Sequence, residues 1–231
     1  MSIERVPPRR PAWNVWQALF LIGMVNLLEF SFGWLSTQQN LNSLPGFIRF
    51  VGIGLGESIL YLVAILFLLR VMKQSYKVLG LGAVRWVYLL ISILVGLLLF
   101  LGIGFLGKLL TYLWGTPAPQ SFTLVLQGAK YSWQLPILLV LGGIIAPLKE
   151  EVLFRGLLYP PLRLAYGRGM GIILTGIFFA FLHFDLVRFL PLLIGGIVLT
   201  WLYERSSSLW PSIVAHGTWN VLMALALWIQ R

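Results

Sequence analysis

The sequence predicts an all-α protein, a polytopic transmembrane bundle of about seven helices. Three observations carry this. Apolar residues make up 59% of the 231 positions and charged residues only 10%, too few to cover the surface of a water-soluble domain. The mean hydropathy is +0.89. Stretches of roughly 20 largely apolar residues, the length that spans a bilayer as a helix, recur from one end of the chain to the other. No stretch is long and polar enough to form a separate soluble domain, so the expected organisation is one integral membrane domain over residues 1–231.

The first helix is expected from about Trp13 to Leu35, longer than the apolar core of a secretion signal and without a clear small-residue cleavage site. It follows a short basic tail, residues 1–12, that contains Arg5, Arg9 and Arg10. A polar loop, Ser36 to Ser43, leads into a second helix from about Phe47 to Met72, closed by Lys73 and Lys77. The third runs from about Val84 to Leu113 and ends in the breakers Gly115-Thr116-Pro117-Ala118-Pro119, before a weakly amphipathic stretch to Tyr131. The fourth is expected from about Leu135 to Leu158, stopped by Pro160 and Pro161. A basic segment with Arg163 and Arg168 follows, closed by Gly167, Gly169 and Gly171. The fifth (about Ile172 to Phe184) and sixth (about Phe189 to Tyr203) are short enough to be tilted, re-entrant or incompletely spanning. The seventh runs from about Trp210 to Ile229, and no internal repeat is visible.

The net charge of +10 does not indicate nucleic acid. Lys and Arg stand singly at the ends of apolar runs rather than on one polar face, as expected for loops facing anionic lipid headgroups. The tail, the 70–85 loop and the 163–168 loop are the basic ones, which puts the N-terminus in the cytoplasm. The chain has no cysteine, which excludes disulfides, thiol catalysis and thiolate metal sites.

Ionisable residues inside lipid cost ~2.5–3.5 kcal/mol each on insertion scales, so each needs a partner or a task. Glu29, Glu57, Glu150, Glu151 and Asp185 all fall in or beside apolar runs, as do both histidines, His183 and His216. On the fourth helix Glu151 and Arg155 share a face at i,i+4 and can pair, while Glu150 is rotated ~100° and points elsewhere, free for acid or base chemistry. Phe179 and His183 share a face of the fifth helix, and His216 and Asn220 a face of the seventh, where both can donate hydrogen bonds toward a developing oxyanion. Each set also has a plain structural reading. The Glu pair can be a charged helix end with Lys149 and Arg155 reaching the headgroups, His183 a satisfied core histidine, and His216 and Asn220 an interhelical clasp eased by Gly217. Their concentration in three helices of the C-terminal half favours a shared site.

In that order, Glu150-Glu151-x-x-x-Arg155, Phe179-x-x-x-His183 and His216-x-x-x-Asn220 resemble the three motifs of the CAAX prenyl protease and bacteriocin-processing family of intramembrane proteases. The resemblance covers about Pro136 to Ile229, within an expected core of residues 135–229; the preceding residues match only as generic membrane helices. It implies an intramembrane endopeptidase with a catalytic cavity inside the bundle, acting on membrane-associated or lipidated proteins or peptides. Glu150 would activate water, His183 would help hold it, and His216 and Asn220 would stabilise the oxyanion. Glu151 and Arg155 would fix the helix and its charge pattern, and Phe179 would pack the site. Members of the family have been classed as metalloproteases. Glu150, His183 and His216 with a water could satisfy tetrahedral zinc, and the same set could work without metal; the absence of an HExxH-type motif inclines the reading to the latter. Substrate identity is not legible. Three other readings compete: a haem carrier with His183 and His216 as axial ligands, a transporter using the buried carboxylates, and a non-catalytic scaffold or immunity protein.

One geometric demand follows. His216 lies a few residues into the seventh helix, whereas His183 lies ~16–18 Å along the fifth, counted from Ile172. The two reach one depth only if the fifth helix tilts or begins nearer the cytosol.

Overall fold

A computed structural model describes residues 10–38 and 45–231, apart from the side chains of residues 29 and 32–38. Arg5, Arg9, the Glu29 side chain and most of the Ser36–Ser43 loop therefore lie outside the described residues. Among the described residues there is no strand. The first three long helices are α1 (Val15–Gln38), α2 (Gly46–Val71) and α3 (Trp86–Trp114), with a 3-10 turn at Tyr76–Leu79 between α2 and α3. A short α4 (Ser121–Gln127) fills part of the expected amphipathic stretch. Then α5 (Gln134–Val140), a π segment (Leu141–Ile145), α6 (Ala146–Glu151), a second π segment (Val152–Leu158) and α7 (Tyr159–Phe181) follow without a gap. The chain closes with α8 (Phe189–Ser206) and α9 (Leu209–Ile229).

Membrane length and apolarity survive in three of these. Gly46–Val71, Trp86–Trp114 and Leu209–Ile229 are each long and apolar enough to cross a bilayer. Their outward faces are greasy: Ile59, Leu62, Val63, Leu66 and Phe67 on α2 are exposed, as are Leu94, Leu98, Leu101 and Phe105 on α3. On a water-soluble surface such patches would drive aggregation, whereas in lipid they cost nothing. The protein is an integral membrane protein.

The core sits behind those faces. Its largest cluster joins α1, α2, the 3-10 turn, the second π segment and α7 through residues such as Trp13, Tyr61, Leu79, Phe154, Leu157 and Phe179. Trp13 is tied in by its indole N–H, which donates to the Leu157 carbonyl at 2.8 Å. A second cluster packs α3, α8 and α9 around Leu99, Leu199, Leu202 and Trp219. A third packs α4 and α5 against α9 through Leu126, Leu138 and Ala224.

The prolines do not stop the fourth predicted helix. The chain stays helical through Pro160 and Pro161 and breaks at Gly167, the one non-helical residue inside α7 (φ 80°, ψ 171°). The reason is register. The π segment ends at Leu158 and α pairing begins at Tyr159, so both prolines fall in the first turn of an α segment, where a missing N–H costs little. Gly167 supplies the positive φ that reverses the chain. Its consequence is that the fifth predicted helix begins at residue 168 rather than near Ile172, and that Gly169 and Gly171 are helical rather than loop.

Candidate active site

The site is built on α6 and the π segments that flank it. A π turn is wider than an α turn and is found chiefly where a helix must present particular groups. Between the two lie Glu150 and Glu151 at the end of α6, and Arg155 sits within the second π segment. Glu151 and Arg155 are both fully buried, and their ion pair measures 2.7 Å (Oε1 to Nη1).

A guanidinium with no water contact is tolerable only if its donors are used. Arg155 uses them on helix α8 as well: Nε donates to Thr200 Oγ1 at 3.2 Å and Nη2 to the Gly196 carbonyl at 3.0 Å. Its cation also faces the ring of Phe179 at 4.8 Å, a cation–π contact in a dry setting. Neither Gly196 nor Thr200 was singled out in the sequence. Their i,i+4 spacing on an apolar helix, with the Thr200 hydroxyl in the middle of an apolar run, is the signal that could have found them.

Helix α9 brings His216 against this pair. Its Nδ1 lies 2.8 Å from Glu151 Oε1, and its Nε2 lies 3.9 Å from Glu150 Oε2. The expectation that the two carboxylates point to separate places is thus corrected: one imidazole sits between them, with Glu151 on one ring nitrogen and Glu150 facing the other. Oε2 of each carboxylate is buried and has no hydrogen-bond partner among the described residues. The close approach of α9 depends on small residues. A Cβ on Gly217 would sit 2.3 Å from the Gly143 carbonyl oxygen, so the two backbones can meet only because the residue after His216 is glycine.

His183 and Asn220 border this centre without bonding to it. Asn220 donates from Nδ2 to the Gly142 carbonyl at 2.9 Å, in the first π segment. His183 lies in a turn past the end of α7 and has Nδ1 2.7 Å from the Phe179 carbonyl. That carbonyl can only accept, so Nδ1 carries the proton and, in the neutral ring, Nε2 has the lone pair. Phe179 joins the two histidines: its ring lies 4.8 Å from that of His183 and 5.7 Å from that of His216. Phe179, rather than His183, is the residue of the second arm of α7 in ring contact with His216.

Of the other acidic residues, Glu57 pairs with Lys149, the neighbour of Glu150, at 3.6 Å, so α2 is drawn to the motif helix. Both line a crevice of about 380 Å³ between α2, α4 and the first π segment, together with Gly54, Phe122 and Gly142. Asp185 pairs with Arg188. Glu204, which the sequence did not bring forward, gathers Tyr159, Arg163 and Arg168 and ties α8 to both arms of α7. Among the described residues no three of His, Cys, Asp and Glu are grouped so as to hold a metal ion. Glu150, His183 and His216, the conditional ligand set, do not form such a group.

Residues 132–222 match the family model described as type II CAAX prenyl endopeptidase Rce1-like. The UPF0177 protein YxdF of Lactococcus lactis subsp. lactis (strain IL1403) is 30% identical over 97 residues, which cover 41% of this chain and 53% of that protein. The putative membrane peptidase YdiL of Bacillus subtilis (strain 168) is 24% identical over 91 residues, 39% of this chain and 37% of that protein. The matched region spans about half or less of these curated relatives. No solved structure matches the chain. The stretch that carries all three motifs is therefore a match to the type II CAAX prenyl endopeptidase family, the family those motifs resemble.

Proposed function

We propose that the protein is an intramembrane endopeptidase that hydrolyses peptide bonds of membrane-associated or lipidated substrates, with Glu150 as the base. The observation that carries this reading is the imidazole of His216 set between two carboxylates, the buried Glu151 neutralised by Arg155 and the partly exposed Glu150 not. Glu151, held by Arg155, accepts the Nδ1 proton of His216 and so aims Nε2 at Glu150. The 3.9 Å between Nε2 and Glu150 Oε2 is too long for a hydrogen bond and suits one water shared between them. Glu150 takes a proton from that water as its oxygen attacks the scissile carbonyl carbon. When the C–N bond breaks, the same proton passes from Glu150 to the leaving amine.

The remaining residues serve that step. His183 offers the Nε2 lone pair as a second acceptor for the water. The amide of Asn220 has two hydrogens, and Gly142 uses one, so the second is left for the oxyanion. His216 as an imidazolium adds Nε2–H to it. Phe179 packs between the histidines. The crevice beside Gly142 and Lys149 offers mixed apolar and polar room for a peptide segment.

The test is turnover of a fluorogenic, lipidated peptide by the purified protein in liposomes. Glu150→Ala, His183→Ala and His216→Ala should each abolish cleavage while the protein still inserts and folds. Wild-type turnover in Glu150→Ala would end the assignment of the base.

A further inference from the structure

His183 is the candidate residue with the least support from its own helix. The last helical residue of α7 is Phe181, and His183 follows in a turn whose next residue, Phe184, adopts a left-handed conformation (φ 48°). A bulky residue rarely takes that conformation unless its surroundings impose it. The surroundings here are a side-chain clasp. Asp185 accepts the backbone N–H of Arg188 at 2.9 Å through Oδ1, and its Oδ2 pairs with Arg188 Nη1. The other guanidinium nitrogen, Nη2, donates to the carbonyl of Ala118 at 3.1 Å, 70 residues away in the loop after α3. Ala118 lies between Pro117 and Pro119, so the anchor itself is stiff. Asp185 and Arg188 are 16% and 28% exposed, sheltered enough for the pair to hold its geometry. Arg188 is also the N-cap of α8, the helix whose Gly196 and Thr200 bind Arg155.

We propose that Asp185 and Arg188 are positioning residues: a clasp on the 115–119 loop that fixes the turn holding His183 and, through the start of α8, the support of Arg155. The inference rests on the peptidase reading above and gives Asp185 a task that composition alone did not. The clasp touches no reacting atom. Its loss leaves the Phe179 carbonyl bond to His183 in place but frees the turn to move, so the ring is held in the right position a smaller fraction of the time.

The experiment uses the absence of cysteine in the chain. Leu186, 91% exposed between the two clasp residues, is replaced by cysteine and carries a nitroxide label in the full-length protein in liposomes. Asp185→Asn and Arg188→Gln should sharpen the label's spectrum, reporting faster motion of the turn, and the double variant should match either single one. Without the label, the same variants should lower kcat about tenfold or more while KM stays within about twofold and the melting temperature is unchanged. An unchanged spectrum would overturn the clasp. A loosened turn with wild-type kcat would overturn the positioning role. Failure of the parent reading is separate and shows as cleavage that persists in Glu150→Ala.

Discussion

Arg155 has no exposed surface and is met by Glu151, Thr200, the Gly196 carbonyl and the rings of Phe154 and Phe179. Removing one member of such a pair leaves the other charge buried and unpaired, which costs ~3–5 kcal/mol. Arg155→Ala should therefore lose folded protein in detergent or melt far earlier, whereas Glu150→Ala, whose carboxylate forms no hydrogen bond through Oε2, should melt near the wild type. Equal melting of the two would contradict the division of labour between the adjacent carboxylates. Asn220→Ala, removing a proposed oxyanion donor, should lower kcat ~10²–10³-fold with little change in KM. The residue types and spacings of Glu151 and Arg155 were enough to predict their pairing, because i,i+4 neighbours meet on any helix. The partners of His216 were not predictable in that way. That both carboxylates address one imidazole depends on how α9 crosses α6, and spacing within a helix carries no information about the crossing.

At the level of the elements, α9 is set against the first π segment by a glycine contact. A side chain on Gly217 would meet the Gly143 carbonyl at 2.3 Å, and the neighbour is backbone, which cannot swing aside. Gly217→Ala should force the helices apart, cost on the order of 1–3 kcal/mol, and lower turnover more than the stability loss explains, because the same contact places His216 and Asn220. A melting curve and a turnover measurement on one preparation check both halves. Gly167 acts on the other side of the site. Its φ of 80° reverses α7, and the arm that follows ends at Phe179 and His183. The sequence indicated the long helices to within a few residues because apolar length is a strong signal. It misplaced the end of the fourth because proline was read as a stop, and the π-to-α change that makes room for Pro160 and Pro161 leaves no mark in residue type.

Across the whole molecule, the outward faces of α2 and α3 are apolar and the charges gather inside or at the ends. The basic ends predict a cytoplasmic N-terminus. A tag there should be inaccessible on intact cells and become labelled only after permeabilisation; labelling from outside would invert the topology. The account as a whole rests on Glu150 being the group that takes the proton from water. The most direct test is Glu150→Gln, which keeps size and shape and removes only the base, assayed beside the wild type in liposomes on one lipidated peptide. The account predicts a fall in kcat of about 10²-fold or more at an unchanged melting temperature. Turnover within about twofold of the wild type would contradict it, since losing a general base costs far more than that.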